Sequence, residues 1–215
     1  MADRLSLVEL VIAVHDGLAG GGVAHGFGGA LALGYYVAEP RATRDIDLNV
    51  STPPSEAARL FGLLPAGVSW GERELARSVD DGQVRLWYGP RRTGIPLDIF
   101  FPQHAFHAAV QEATRERPFA RPGQVLPVIS AAHLTVFKAL FDRPRDWVDV
   151  AAMLDAGTVD VEEALRWLVT LVGEDHPSTR RFVTLVASPR GAPAAVDAGA
   201  DVAPVLDWKH LGAAD

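Results

Sequence analysis

Apolar residues recur at three- and four-residue spacing from Leu5 to Leu18, a pattern that predicts an amphipathic helix closed by Gly20, Gly21 and Gly22. Val23 to Phe27 then reads as a short strand, Gly28 and Gly29 as a turn, and Ala30 to Tyr36 as a helix that stops before Pro40. Ile46 to Val50 is an apolar strand with Asp45 and Asp47 at its start, and Pro53 and Pro54 break it. Ser55 is expected to cap a helix running through Leu64. Two further strands, Val84 to Tyr88 and Pro96 to Phe101, flank a GPRRTG turn, and Phe106 to Arg115 reads as helical.

The texture changes past Pro127. SAAHLTVFKALF, PRDWVDVAAMLDA and VEEALRWLVTLV are successive helix-period segments, with Ser130 and Asp160 as N-caps. The pattern therefore gives an α+β chain in which a small sheet flanked by helices is followed by a helical half. The expected division is a core over 1–126, a helical region completing the site over 127–190, and a flexible tail over 191–215. That tail is rich in Ala, Gly, Pro and Asp without periodicity, save for one patch from Val205 to Leu211 that reads as docked.

Composition narrows the chemistry. At 215 residues and 48% hydrophobic content the chain can bury a sizeable core. There is no cysteine, so disulfides, thiolate nucleophiles and cysteine-held zinc are excluded, and any metal must be held by oxygen or imidazole. No run approaches the length of a membrane span, and Asp3 and Glu9 sit where a secretory leader would be free of acids, so the expected address is the cytoplasm. The formal charge of −7 argues against a protein coated in positive potential. Three of those charges lie in the tail, however, which leaves room for a local arginine face drawn from Arg41, Arg44, Arg143 and Arg145. Only Lys138 and Lys209 are lysine, so a lysine inside an ordered helix is conspicuous.

Asp45 and Asp47 stand at i and i+2, which on a strand points both carboxylates to one face, about 7 Å apart at the alpha carbons. Two carboxylates so placed repel unless a cation lies between them, and magnesium takes such a pair together with substrate phosphates. Asp98 interrupts the apolar strand IPLDIFF, where a carboxylate is costly unless it is ion-paired to an arginine, hydrogen-bonded or metal-bound. If the two strands are neighbours, Asp45, Asp47 and Asp98 converge into a site for two divalent ions and in-line phosphoryl transfer. Gly28 and Gly29, between strand and helix, would let a polyphosphate approach backbone N–H groups. Lys138 is either a phosphate-facing ammonium or a snorkelling surface residue, and Asp149 either a functional carboxylate or half of an i, i+4 pair with Arg145. His104 and His107 lack a third ligand, which makes zinc a poor fit.

The order GG, apolar helix, then Arg41, Thr43, Asp45 and Asp47 in R-x-T-x-D-x-D, then a strand with a third aspartate, resembles the DNA polymerase β-type nucleotidyltransferase superfamily. FKALFDRPRDWVDVAAML, carrying Lys138, Arg143, Asp146 and Asp149, is similar to the corresponding block of the AbiEii-type nucleotidyltransferase toxins, which include the MenT toxins. The resemblance spans roughly residues 23–155. It implies a small mixed-sheet nucleotidyltransferase core, with Gly28 and Gly29 in the nucleotide-binding turn and Thr43, Arg44 and Lys138 also on the nucleotide. It further implies Asp45 and Asp47 on Mg2+ or Mn2+, Lys138 at the triphosphate, and Asp149, with Asp146 beside it, as the later catalytic carboxylate.

The expected activity is transfer of NMP from NTP to a hydroxyl acceptor with release of pyrophosphate. By resemblance the acceptor is the tRNA 3′ end and the protein is a toxin with a cognate antitoxin. A small-molecule transferase of the aminoglycoside type and a non-catalytic nucleotide- or partner-binding module are the alternatives. An intact carboxylate set speaks against the last, since buried unpaired acids would be a standing cost.

Overall fold

A computed structural model describes residues 4–188. The expected tail from Gly191, with its patch at Val205 to Leu211, lies outside the described residues. The chain divides into two compact units: one holds the N-terminal segment through Leu31 and residues Ala42–Ile129, the other Ala32–Arg41 and the chain from Ser130. Residues 32–41, which belong to the core in a reading by position along the chain, thus pack with the helical half.

The first unit opens with α1 (Leu7–Gly20), whose Ser6 and Glu9 form a reciprocal capping box. It continues through β1 (His25–Phe27), the start of α2 (Gly29–Leu33), β2 (Ile46–Val50), a 3-10 turn (Pro54–Glu56), α3 (Ala57–Phe61) and β3 (Val68–Ser69). Then follow α4 (Glu72–Asp81), β4 (Gln83–Tyr88), β5 (Ile95–Phe100), α5 (Ala105–Ala113), β6 (Arg115–Pro118) and β7 (Val125–Val128). The strands form one mixed sheet in the order β3-β4-β5-β2-β1-β7-β6. β2 runs parallel to β5 and β1 parallel to β7, while the other neighbouring pairs are antiparallel. Alternation along β4 buries Val84, Leu86 and Tyr88 and turns Gln83, Arg85 and Trp87 to the opposite side. Phe27, Ile46, Leu48, Leu86, Leu97, Ile99, Phe101 and Phe106 make the core of this unit.

Several elements differ from the sequence expectation. Ser55 does not cap a helix: it lies within the 3-10 turn, and α3 starts after Glu56 and ends at Phe61. The helix expected over 30–36 is a single turn longer than a bend, ending at Leu33, because Tyr35 and Tyr36 close tighter turns onto Ala32 and Leu33. The helix expected to reach Arg115 ends at Ala113, and strands β6, which starts at Arg115, and β7 emerge from a stretch otherwise left unassigned. Pro118 and Pro127 obscure them, yet β6 is an exposed edge strand, where proline and charge are tolerated and discourage further pairing.

The second unit is built on α6 (Ala131–Phe141), α7 (Pro144–Asp155), α8 (Val161–Val172) and α9 (Pro177–Ala187). Ser130 and Asp160 cap α6 and α8 through their side chains, as the sequence predicts. Every residue of α6 from Ala131 to Ala139 is buried, and the helix packs against α7, α8 and α9. A central helix with no solvent face leaves Lys138 no route to water along the surface. No helix of the described residues is long and apolar enough to cross a membrane.

Candidate active site

Strand register brings the acidic residues of the first unit together. β2 and β5 are parallel neighbours in which Asp47 and Asp98 are direct partners, and the same row continues onto β4, where Arg85 is the partner of Asp98. Asp45 stands just before β2, two residues ahead of Asp47, and both carboxylates add to the attraction on Arg85. Thr43 donates from its hydroxyl to the Asp45 carboxylate at 3.2 Å, and the Arg44 backbone N–H reaches the same oxygen at 3.3 Å. The R-x-T-x-D spacing thus orients the first carboxylate before the strand begins.

Asp98 is 8% exposed, and its cost is offset by a forked ion pair: Arg85 Nε donates to Oδ1 at 2.7 Å and Nη2 to Oδ2 at 2.5 Å. The hydrogen bonds that Arg85 donates to Asp98, with further attraction from Asp98, Asp45 and Asp47, outweigh burial and raise the affinity of the guanidinium for its proton. Arg85 is therefore the resident cation of this acidic row. Sequence reasoning missed it because the pairing is set by register across β4 and β5. The available signal was an arginine at the centre of the alternating segment QVRLWY. Among the described residues no group of three or more His, Asp or Glu side chains is gathered as a metal cage.

The glycine turn lies against the same row. Gly28 N–H donates to the Asp47 carbonyl at 2.9 Å, and Gly29 has φ +53°, a conformation that favours glycine. A Cβ on Gly29 would fall 1.7 Å from Asp47 Oδ2. The missing side chain is what allows the carboxylate to rest on the backbone of the turn.

Lys138, Asp146 and Asp149 belong to the second unit, where they form an ion cluster with two arginines. Lys138 is 4% exposed; its Nζ lies 2.5 Å from Asp149 Oδ2 and 3.5 Å from Asp146 Oδ1. Arg41 Nε and Nη2 grip Asp149 at 3.2 and 3.1 Å, and Arg143 Nε and Nη2 grip Asp146 at 2.5 and 3.1 Å. Asp149 is thus paired with Arg41 and Lys138, where the helical spacing had suggested Arg145. Burial acts to raise the Asp149 carboxyl, but the charges and hydrogen bonds of Lys138 and Arg41 overcome it and hold the group below the ordinary carboxylate range. Three cationic side chains, Lys138, Arg41 and Arg143, thus contact the two carboxylates.

The histidines serve structure. His104 caps α5 by accepting from Phe106 N–H at 3.1 Å. His107 is buried, and burial pushes its imidazole down to about 4. His25 and His133 are likewise depressed by burial.

Over residues 26–209 the sequence matches the family described as "Nucleotidyl transferase AbiEii toxin, Type IV TA system". No curated protein matches the chain. Among solved structures, a nucleotidyltransferase-like antigenic protein from Paracoccidioides brasiliensis shares the fold at TM-score 0.51 and 18% identity, over 85% of this chain and 95% of that one. JHP933 from Helicobacter pylori matches at TM-score 0.37 and 15% identity, over 82% and 86% of the two chains. The mixed sheet with helices is thus the fold of a nucleotidyltransferase-like protein, and the family match extends across both the carboxylate row and the ion cluster. The chain belongs to the AbiEii family of nucleotidyltransferase toxins.

Proposed function

We propose that this nucleotidyltransferase transfers NMP from an NTP to the 3′-hydroxyl of an RNA, with tRNA as the acceptor, and that a cognate antitoxin restrains it. The observation that carries the chemistry is the alignment of Asp47 with Asp98 across β2 and β5, beside a glycine turn whose missing side chain makes room for Asp47.

The donor set suits a hard divalent cation. Asp45, just before β2, and Asp47, within it, offer carboxylate oxygens, and Asp98 stands in register with Asp47 while sharing its charge with Arg85. Asp45 and Asp47 would hold Mg2+ or Mn2+, with Asp98 as the third carboxylate. When bound, the ion supplies charge neutralisation for the phosphates and activation of the attacking hydroxyl. The chain's own residues set the stage: Thr43 holds the Asp45 carboxylate, Gly28 and Gly29 present bare backbone, and Thr43 and Arg44 are assigned to the nucleotide. Lys138, a compact ammonium that shares Asp149 with Arg41 and Asp146 with Arg143, is assigned to the triphosphate. Asp149, held ionised, acts by positioning Lys138 and Arg41 and not by carrying a proton.

The deciding experiment incubates the protein with each labelled NTP and Mg2+ in the presence of total RNA, in parallel with a panel of aminoglycosides. A labelled tRNA-sized band whose yield falls with salt is expected, since phosphate contacts dominate RNA affinity. Labelled drug beside unlabelled RNA would overturn the acceptor and leave the nucleotidyl transfer standing.

A further inference from the structure

On the side of β4 that carries Arg85, the first unit holds a cavity of about 330 Å³ whose lining shares only Arg85 with the carboxylate row. Its volume is at the low end of small-molecule sites, about 300–1,000 Å³. Trp87 follows Arg85 by two residues and so faces the same way, with Ser69 of β3 as its register partner. Trp70 stands next to it in the wall, 41% exposed, and its ring is braced against the buried ring of Phe61 at a centroid distance of 5.6 Å. Gly71 contributes bare backbone, and Glu74 and Arg91, paired at 3.1 Å, complete the polar side.

Tryptophan is highly buried on average, whereas Trp70 keeps 41% of its surface exposed beside the cavity. Here two indoles, two guanidinium groups and one carboxylate acceptor line a single small cavity. Flat aromatic and guanidinium surfaces stack on planar rings, and Glu74 accepts hydrogen bonds from ring or exocyclic N–H groups. Arg85 belongs both to this wall and to the Asp47–Asp98 row, and β4 lies two strands from β2, a separation of about 10 Å at ordinary strand spacing. That is the scale of one nucleotide.

We infer that the Trp70–Trp87 cavity is a nucleobase subsite that seats a planar base while the carboxylate row handles the phosphate end. The inference rests on the proposed nucleotidyl transfer for its reaction, but it names a binding site that can be measured without turnover. The base comes either from the incoming NTP or from the acceptor's terminal nucleotide.

Binding is measured with nonhydrolysable NTP analogues and Mg2+ by calorimetry, and with an end-labelled single-stranded oligoribonucleotide by anisotropy. Inorganic triphosphate, which has no base, is the control ligand. Trp87→Ala and Trp70→Ala should weaken a base-bearing ligand about five- to a hundredfold, the equivalent of one lost base–aromatic stack, while triphosphate binding stays unchanged. Trp87→Phe should recover most of the loss. A loss confined to the NTP analogue assigns the base to the incoming nucleotide, and one confined to the oligonucleotide assigns it to the acceptor. Wild-type affinity of both alanine variants for both ligands overturns the subsite, as does an equal loss of triphosphate binding. Labelled RNA with unaffected tryptophan variants removes the subsite alone, whereas base-dependent binding with no labelled RNA removes only the proposed acceptor.

Discussion

Arg85 and Asp98 are register partners on antiparallel strands, and the guanidinium closes on the carboxylate in a two-bond fork at 2.7 and 2.5 Å. Breaking a buried pair by removing one partner leaves an uncompensated charge, worth about 3–5 kcal/mol in a fully buried site and less here, where Arg85 keeps some exposure. Arg85→Met should therefore destabilise the fold by about 2 kcal/mol in metal-free buffer. It should also free Asp98 for a cation. Mn2+ should then raise the melting temperature of the variant more than that of the wild type, read by thermal denaturation with and without the ion. An equal shift in both proteins would show that Asp98 takes no part in metal binding.

Gly29 and Asp47 compete for one volume. Gly29→Ala places a methyl where the Asp47 carboxylate rests and puts an alanine at φ +53°, at a backbone cost of about 1–2 kcal/mol. The carboxylate can swing away, so the fold should survive. Pyrophosphate release, by contrast, should fall toward the level of Asp47→Ala, which is expected to be inactive while retaining its circular dichroism spectrum. A fully active Gly29→Ala would mean that the observed seat of Asp47 is irrelevant to turnover.

Asp47, Asp98 and the glycine pair were legible in the sequence because each breaks a local rule: an acid in an apolar strand, two acids on one strand face, two glycines between strand and helix. Their alignment was foreseen only as conditional on strand adjacency, which the β2–β5 pairing supplies. Arg85 was not legible, since nothing near it in sequence indicates that Asp98 lies opposite. The helix α4 was hidden for a different reason. ERELARSVDD is polar nearly all round and buries only Ser78, so no apolar stripe marks it. The periodic helices α6, α7 and α8, the first and last of them capped by Ser130 and Asp160, were legible throughout, but the burial of Lys138 was not, because a helix closed on all sides looks like an amphipathic one until its neighbours are placed.

Lys138 is enclosed with Asp146 and Asp149, which are 0% and 5% exposed. Lys138→Ala would leave both carboxylates with only their arginine partners, so a stability loss of about 3 kcal/mol is expected by chemical denaturation. This is larger than a surface lysine would give, and it accompanies any loss of NTP affinity. Lys138→Met combined with Asp149→Asn removes one charge of each sign and should recover part of the loss. A single Lys138→Ala within about 0.5 kcal/mol of the wild type would contradict the buried cluster.

The pH dependence of stability has a defined direction. The His107 imidazole is held down to about 4 by burial, whereas in the unfolded chain it titrates at its ordinary value of 6.5. Between those values the unfolded state binds the extra proton, so stability must fall as pH drops through the window from 6.5 to 4 and be fully present above it. The complete effect for this one residue is about 3 kcal/mol. His25 and His133 are shifted the same way, and the lowered Asp149 carboxyl adds a further loss at more acidic pH as it protonates. Urea unfolding at a series of pH values should therefore show a steep decline below pH 6.5. His107→Gln, which cannot take up the proton, should be less stable than the wild type at neutral pH if packing suffers, but should lose less between pH 6.5 and 4. Parallel profiles for the two proteins would mean that His107 titrates alike in the folded and unfolded chain and is not enclosed as the structure has it.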